Sequence, residues 1–546
     1  LAFVSDRFSH ATVVVALVMA VFGLYAPSLS NPLIWDDAIH LEKVRAEGVR
    51  AAFERVAGKY RRPVVLLSYS AQDAVGFGSP MALHAFNVGV HAANAAMVYA
   101  LALALGSGMN IALAGAVLFA FHPLQSAAVG YVSGRTDLLA AAFTLVAIGM
   151  ALRSTRRRAA GVWAVLAGVA AACAGMSKES GLIAGPVAAA FVYHARAHGA
   201  RRGTAAAASA LAGSLVIAPL VLPPALFDVA DVSLGDRFAD AGTVLATYAH
   251  LLVWPAGLHL DRLTPVWRGW IPLGVAFAVG ALLLTRAFPR RPNVTRLGMV
   301  VMLAAYLPVS GIVPIYPALS GRWVFTPEHG LYMALAAGAP LFAYGVALLS
   351  RGLGTMVPAR LTRLARLGTL AIVPLAAAAW TGPVIARQRV LSNEEVAYRS
   401  TLAHSPSPRA CFNLGVLLLD SHRDSEAAQL YENCIAISPN DAGMYVQLGV
   451  AYQRIGDRNR ADLSFAKAIE LAPDDPLAWS NYANLDAAAG AYTPARKKWQ
   501  RALAIDPGFA PALEGLRKLE IVDPNAGEPG QTGNVSSREL VPPPQP

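Results

Sequence analysis

Two adjacent carboxylates, Asp36 and Asp37, close the polar stretch Asn31-Pro32-Leu33-Ile34-Trp35-Asp36-Asp37. The stretch follows a first hydrophobic run, Ala11 to about Leu29. Acids at such a border can do proton chemistry on a lipid-borne substrate where it meets water. Successive side chains point different ways, so one acid could act on an acceptor and the other on a cation or a donor. A solvated helix cap at the membrane surface explains their position equally well. An acceptor hydroxyl is a poor nucleophile at neutral pH and needs a carboxylate within hydrogen-bond reach to take its proton. A lipid-phosphate leaving group needs cations nearby, and Arg62, Arg135, Lys178 and Arg322 could supply them. A divalent metal could do part of this work, but two acids do not establish one. His84, Asn87, His91 and Asn94 step by three, four and three, which puts them on one helix face. They serve either as interhelical hydrogen bonds or as a polar wall lining a cavity. His122-Pro123 ends another hydrophobic run and precedes Ser133-Gly134-Arg135-Thr136-Asp137. Arg135 either pairs with Asp137 or grips a phosphate bidentately. Ser177-Lys178-Glu179 lies on the same side, with Lys178 and Glu179 as further substrate-binding candidates. There is no Walker motif, dinucleotide fingerprint or zinc spacing.

The elements that must position these groups are membrane helices. Of 546 residues, 55% are apolar and only 14% charged, too greasy for an ordinary soluble chain. The net charge of +11 is concentrated in short loops between hydrophobic runs, where orientation and anionic lipid explain it better than nucleic acid does. The first run is long for a signal peptide and reads as a retained first helix. Leu41 to about Tyr60 reads as an amphipathic helix lying on the membrane. Further runs fall at about 81–105, 109–128, 137–152, 160–175, 181–195, 205–225, 272–288, 297–315, 330–350 and 368–386. Basic loops around Arg156, Arg201, Arg290 and Arg363 are expected to face the cytoplasm. The alternation then works with about 11 spans, provided that the run near 241–257 is interfacial or re-entrant. The N-terminus is cytoplasmic in this scheme, and the acid pair shares the opposite side with the C-terminal region.

Beyond about residue 390 the composition changes. Ser392 and Glu395 have capping-box spacing, which predicts a helix start. Pro439, Pro473 and Pro507 recur every 34 residues; so do Ala427, Ala461 and Ala495, and Tyr431, Phe465 and Trp499. Gly415 and Gly449 keep the register, with Ala483 in the third place. This is the tetratricopeptide pattern, with three full repeats and a half-repeat around Tyr398 before them. Cys411 and Cys434 fall in the repeats and are expected to be buried thiols, with a disulfide as the alternative. The fold class is therefore all-α: a membrane bundle over 1–390, a repeat solenoid over 391–520 and a disordered tail over 521–546.

Trp35-Asp36-Asp37, Arg62-Pro63, the His84/Asn87/His91 stripe, His122-Pro123, Gly134-Arg135-Thr136-Asp137, Ser177-Lys178-Glu179 and Leu307-Pro308-Val309-Ser310 occur in a familiar order. With the repeats, they make the chain resemble the transmembrane and tetratricopeptide-repeat O-mannosyltransferases and their bacterial relatives. These are C-type membrane glycosyltransferases (GT-C), related to the protein O-mannosyltransferases. The resemblance implies transfer of a mannose-like sugar from a polyprenyl-phosphate donor to a hydroxyl acceptor, such as Ser or Thr of a protein. It implies an inner-membrane protein of a bacterium, acting on the outer face, with Asp36 or Asp37 as catalytic acid/base. The sequence departs from the family pattern at Tyr60-Arg61-Arg62-Pro63, which has an extra arginine, and at Gly321, where an acid usually precedes Arg322. Two other functions compete: a non-catalytic envelope scaffold whose repeats bind a protein partner, and a glycosyltransferase acting on lipid or glycan.

Overall fold

The computed structural model describes residues 2–52, 61–156, 159–197, 203–222, 234–265, 323–336, 338–339 and 359–522, with 297, 306, 308 and 310 individually. Among the described residues the regular elements are helices, apart from a two-stranded antiparallel ribbon, Leu263–Pro265 with Trp323–Phe325, that helical periodicity did not foretell. It divides into two compact units, Leu1–Ala397 and Tyr398–Pro546.

The first unit opens with α1 (Ala2–Tyr25), α2 (Asp37–Glu47), α3 (Pro63–Ala74) and α4 (Pro80–Ala104). It continues with α5 (Met109–Phe121), α6 (Ser126–Val129), α7 (Arg135–Arg156), α8 (Ala160–Ser177), α9 (Ala184–Ala197), α10 (Thr204–Val221) and α11 (Leu234–Val253). A 33-residue helix, α12 (Ala359–Leu391), ends the bundle. Among the described residues, five segments are long and apolar enough to cross a membrane: His10–Ser30, Pro80–Ala104, Val132–Thr155, Ala160–Ser177 and Thr204–Val221. A sixth is broken by 50° between Phe121 and Pro123, because proline can neither donate to a continuing helix nor fit behind the preceding turn. On α8, Val162, Val165 and Val169 are each more than half exposed. Stepping by three and four, they form an apolar stripe suited to lipid. The runs expected at 272–288, 297–315 and 330–350 lie largely outside the described residues, so the structure does not fix the count of eleven. Helix α2 begins earlier than the expected amphipathic segment and turns Leu41 and Val44 into a cluster with Val65, Tyr69 and Leu83.

The second unit is a stack of helix pairs: Pro408–Asp420 with Asp424–Ile435, Ala442–Ile455 with Arg458–Leu471, and Pro476–Ala488 with Tyr492–Ile505. A final helix, Ala510–Val522, follows and includes the first two residues assigned from sequence to the tail. The helix Glu394–His404 precedes the stack, and its cap is Asn393, whose Oδ1 accepts from the Val396 N–H at 3.0 Å. Ser392 instead donates to the Arg389 carbonyl, so the expected cap is displaced by one residue. Ala427, Ala461 and Ala495 are fully buried, as are Tyr431, Phe465 and Trp499. A Cβ on Gly449 would come within 2.7 Å of the Phe465 ring, so the small residue is what lets the two helices meet. Cys411 and Cys434 are not thiols but form a disulfide. They lie in the outermost turns of one helical hairpin, equidistant from its tip, and the antiparallel pair brings their Cα atoms to 6.2 Å, within the usual disulfide range.

Candidate functional site

The acid pair sits where the chain leaves α1, runs extended through Asn31–Ile34 and turns into α2. Trp35 takes a positive φ of 61°, a costly conformation for a bulky residue that sets the two carboxylates apart. Asp37 is fully buried. Its Oδ2 accepts from the Ile34 N–H at 3.2 Å and the Val132 N–H at 3.0 Å, and its Oδ1 from the Ser133 N–H at 2.6 Å. Burial pushes its pKa up to about 6, against the pull of those N–H donors. Asp37 therefore fastens its own loop to the turn at 131–134. Asp36, the cap residue of α2, is left half-buried.

The turn at 131–134 is held from the other side by the polar stripe of α4, all four members of which are fully buried. Asn87 Nδ2 donates to the carbonyls of Tyr131 at 3.2 Å and Val132 at 3.1 Å, and its Oδ1 accepts from Arg135 Nε at 2.9 Å. His91 Nδ1 is 2.7 Å from the Tyr332 hydroxyl. Asn94 donates to Leu138 O at 3.0 Å and to the same hydroxyl at 3.1 Å. Three of the four groups thus tie helices together. The nitrogens of His84 lie toward the Asn31–Pro32 backbone without a hydrogen bond of good geometry.

The expected cations divide into two kinds. Arg62 bonds Glu179 through Nε and Nη2, with contacts of 3.1–3.3 Å. Lys178 Nζ is 2.8 Å from each oxygen of Asp137. Glu179 is buried, which alone would raise its pKa, yet Arg62 and Lys178 hold its carboxyl below the ordinary range. These two adjacent ion pairs come from consecutive residues of one turn. Arg135 forms no pair with Asp137. It is fully buried, donates to Asn87, Ser68, Gln72 and the Leu83 carbonyl, and lies about 4 Å over the rings of Tyr69 and Phe86. His122 is buried against Trp380, with Nε2 3.2 Å from the Leu252 carbonyl. Arg322 lies outside the described residues. Among the described residues no three His, Cys, Asp or Glu side chains converge as a metal would require.

Sequence reasoning passed over the buried cluster on the ribbon side. There Glu328 Oε1 accepts from Arg262 Nη2 and from the His259 N–H, both at 2.8 Å. It also passed over Arg387 and Gln388 at the end of α12, both buried. An arginine directly after the hydrophobic run at about 368–386 was the available signal.

Fold and site together define a polytopic helical membrane protein with a polar network around an acid pair, followed by tetratricopeptide repeats. Residues 62–227 match the family model described as dolichyl-phosphate-mannose-protein mannosyltransferase, and residues 410–445 and 442–475 match tetratricopeptide-repeat models. The segment similar to that mannosyltransferase family thus lies ahead of the repeats. Protein O-mannosyl-transferase TMTC2 of Homo sapiens is 33% identical over 144 residues, 25% of this chain and 17% of its own length. The Xenopus laevis protein O-mannosyl-transferase tmtc2 matches at the same identity and coverage. The matched stretch therefore spans about a sixth of these relatives. A crystal structure of the Archaeoglobus fulgidus oligosaccharyltransferase in the apo form superposes loosely, with a TM-score of 0.41 and 12% identity, covering 74% of this chain and 59% of that one.

Proposed function

We propose that this chain is a membrane glycosyltransferase that moves a mannose-like sugar from a polyprenyl phosphate to a serine or threonine hydroxyl of a protein, on the outer face of the membrane. The observation that carries the reading is the unequal treatment of the two acids. Asp37 is locked to three backbone N–H groups, whereas Asp36 stays half-buried beside it. In this scheme Asp36 takes the proton of the acceptor hydroxyl as its oxygen bonds to the anomeric carbon. The bond from that carbon to the phosphate oxygen breaks, and polyprenyl phosphate leaves with its electron pair. The half-buried pair Arg62–Glu179 and the buried pair Lys178–Asp137 stiffen the outer ends of the helices, and Arg62, the more exposed cation, would meet the charge that develops on the leaving phosphate. Arg135, with its donors already engaged, supports the stripe and the 131–134 turn. Its replacement should act through the position of that turn.

The outer-face placement is supported by the arginine-rich loops and by the Cys411–Cys434 disulfide, which suits an oxidising compartment. The inner membrane of a bacterium fits both. The repeats, which generally bind proteins, would present the acceptor or a partner. The test is transfer from purified polyprenyl-phosphate mannose to a Ser/Thr peptide by the full chain in detergent, with the product identified by mass. Sugar found on lipid or glycan but not on peptide would overturn the protein acceptor, and no transfer to any acceptor would overturn the enzyme.

A further inference from the structure

Outside the acid pair, buried polar groups without partners lie at the end of α12. Arg387 is 4% exposed, and none of its three side-chain nitrogens has a hydrogen-bond partner. Gln388 and Gln125 are fully buried, and both amide atoms of each are likewise unpartnered. Gln388 lies against Gly130. A Cβ there would lie 2.8 Å from Gln388 Oε1 and 2.7 Å from the carbonyl of Ser126, the neighbour of Gln125. Asn31, five residues before Asp36, donates to the Gly130 carbonyl at 3.4 Å and leaves its own Oδ1 unpaired. The knot is thus tied to the loop that carries the acids.

Charge is also unbalanced here. The electrostatic neighbours of Arg387 are Glu328, Tyr131 and Arg262, and Glu328 already binds Arg262 at 2.8 Å. Among the described residues, one carboxylate faces two guanidiniums. An unpaired buried guanidinium is costly, and its planar fork suits a phosphate. Tyr131 is within electrostatic reach of Asp36, Asp37 and Asp137 as well as of Arg387, which places such an anion in the neighbourhood of the acids.

On the glycosyltransferase reading above, we propose that Arg387, assisted by Gln388, binds the phosphate of the polyprenyl-phosphate donor. The phosphate supplies the missing negative charge, and the amides supply further hydrogen bonds to its oxygens. The competing role is an internal one, in which Arg387 only balances Glu328, whose Oε2 is unpartnered.

The experiment measures binding of undecaprenyl phosphate to the full chain in detergent by tryptophan fluorescence, with inorganic phosphate and phosphatidylglycerol as competitors. Arg387→Gln should weaken binding at least tenfold, Arg387→Lys should retain part of it, and Glu328→Gln should bind as tightly as the parent or more so. Inorganic phosphate should compete only weakly and phosphatidylglycerol not at all. If the parent binds and Arg387→Gln binds equally well, the Arg387 assignment fails while the enzyme reading stands. Equal loss of melting temperature in Arg387→Gln and Glu328→Gln with unchanged affinity would establish the internal role instead. Competition by phosphatidylglycerol matching undecaprenyl phosphate would make this a general lipid site and overturn the proposal. A parent chain that binds no undecaprenyl phosphate would overturn both the assignment and the reading beneath it.

Discussion

Replacing Asp37 with Asn looks conservative, yet the structure makes it a test of the loop. Three backbone N–H groups donate to the Asp37 carboxylate, two to Oδ2 and one to Oδ1. An amide can offer its oxygen to only one side. In the better orientation its NH2 faces the Ser133 N–H, which loses a charge-assisted bond of about 1.5–3 kcal/mol and is left buried without an acceptor, costing about 1–3 more. The other two bonds weaken by roughly 1 kcal/mol each on passing from a charged to a neutral acceptor. Against this, the substitution removes a buried charge. A pKa moved from 3.8 to about 6 corresponds to about 3 kcal/mol at neutral pH. The losses win, and the variant should be less stable by about 1.5–5 kcal/mol. The pH dependence follows from the same shift. Because the folded pKa is raised, the parent's contribution from Asp37 is fully present below about pH 4 and lost as pH rises through about 6. The variant lacks this dependence, so the gap between the two should be roughly 1 kcal/mol wider at pH 5 than at pH 7.5. Thermal melts of the full chain in detergent at both values are the assay. A variant that melts with the parent at both pH values and transfers sugar normally would refute the clamp.

Further outcomes follow from the same contacts. Lys178→Met leaves the Asp137 carboxylate buried without its partner and should cost about 3–5 kcal/mol, most of it recovered in the Lys178→Met/Asp137→Leu double variant; melts of the set check this. Gly449→Ala drives a methyl into Phe465 and should destabilise the repeats by about 1–3 kcal/mol, read as faster limited proteolysis of that unit. Cys411→Ser should lower repeat stability by about 3 kcal/mol, as expected for opening a loop with a sequence separation of 23. The same disulfide predicts that Cys411 and Cys434 resist alkylation in denatured, unreduced protein taken directly from membranes.

Much of this was legible because two periods are strong in the chain. Hydrophobic runs near membrane length showed the bundle, and a 34-residue repeat with alanine, aromatic and proline in fixed places showed the solenoid. The acids were legible as a pair but not as unequal, because the difference depends on which one meets the N–H groups of Val132 and Ser133, almost a hundred residues away. Spacing left open whether Asp137 pairs with the nearby Arg135; its partner is Lys178. At the Cys411–Cys434 bond, the hairpin geometry decides, whereas separation along the chain says little. The ribbon pairs three residues with three, too few to impose a period on the sequence.

The most direct test of the central claim is the rate of mannose transfer from polyprenyl phosphate by the Asp36→Asn chain, with donor affinity and melting temperature measured on the same preparation. Loss of a general base is typically worth about 10²–10⁴-fold, so turnover should fall by that order while donor binding and stability hold. An Asp36→Asn chain that turns over at the parent's rate would contradict the assignment of the base.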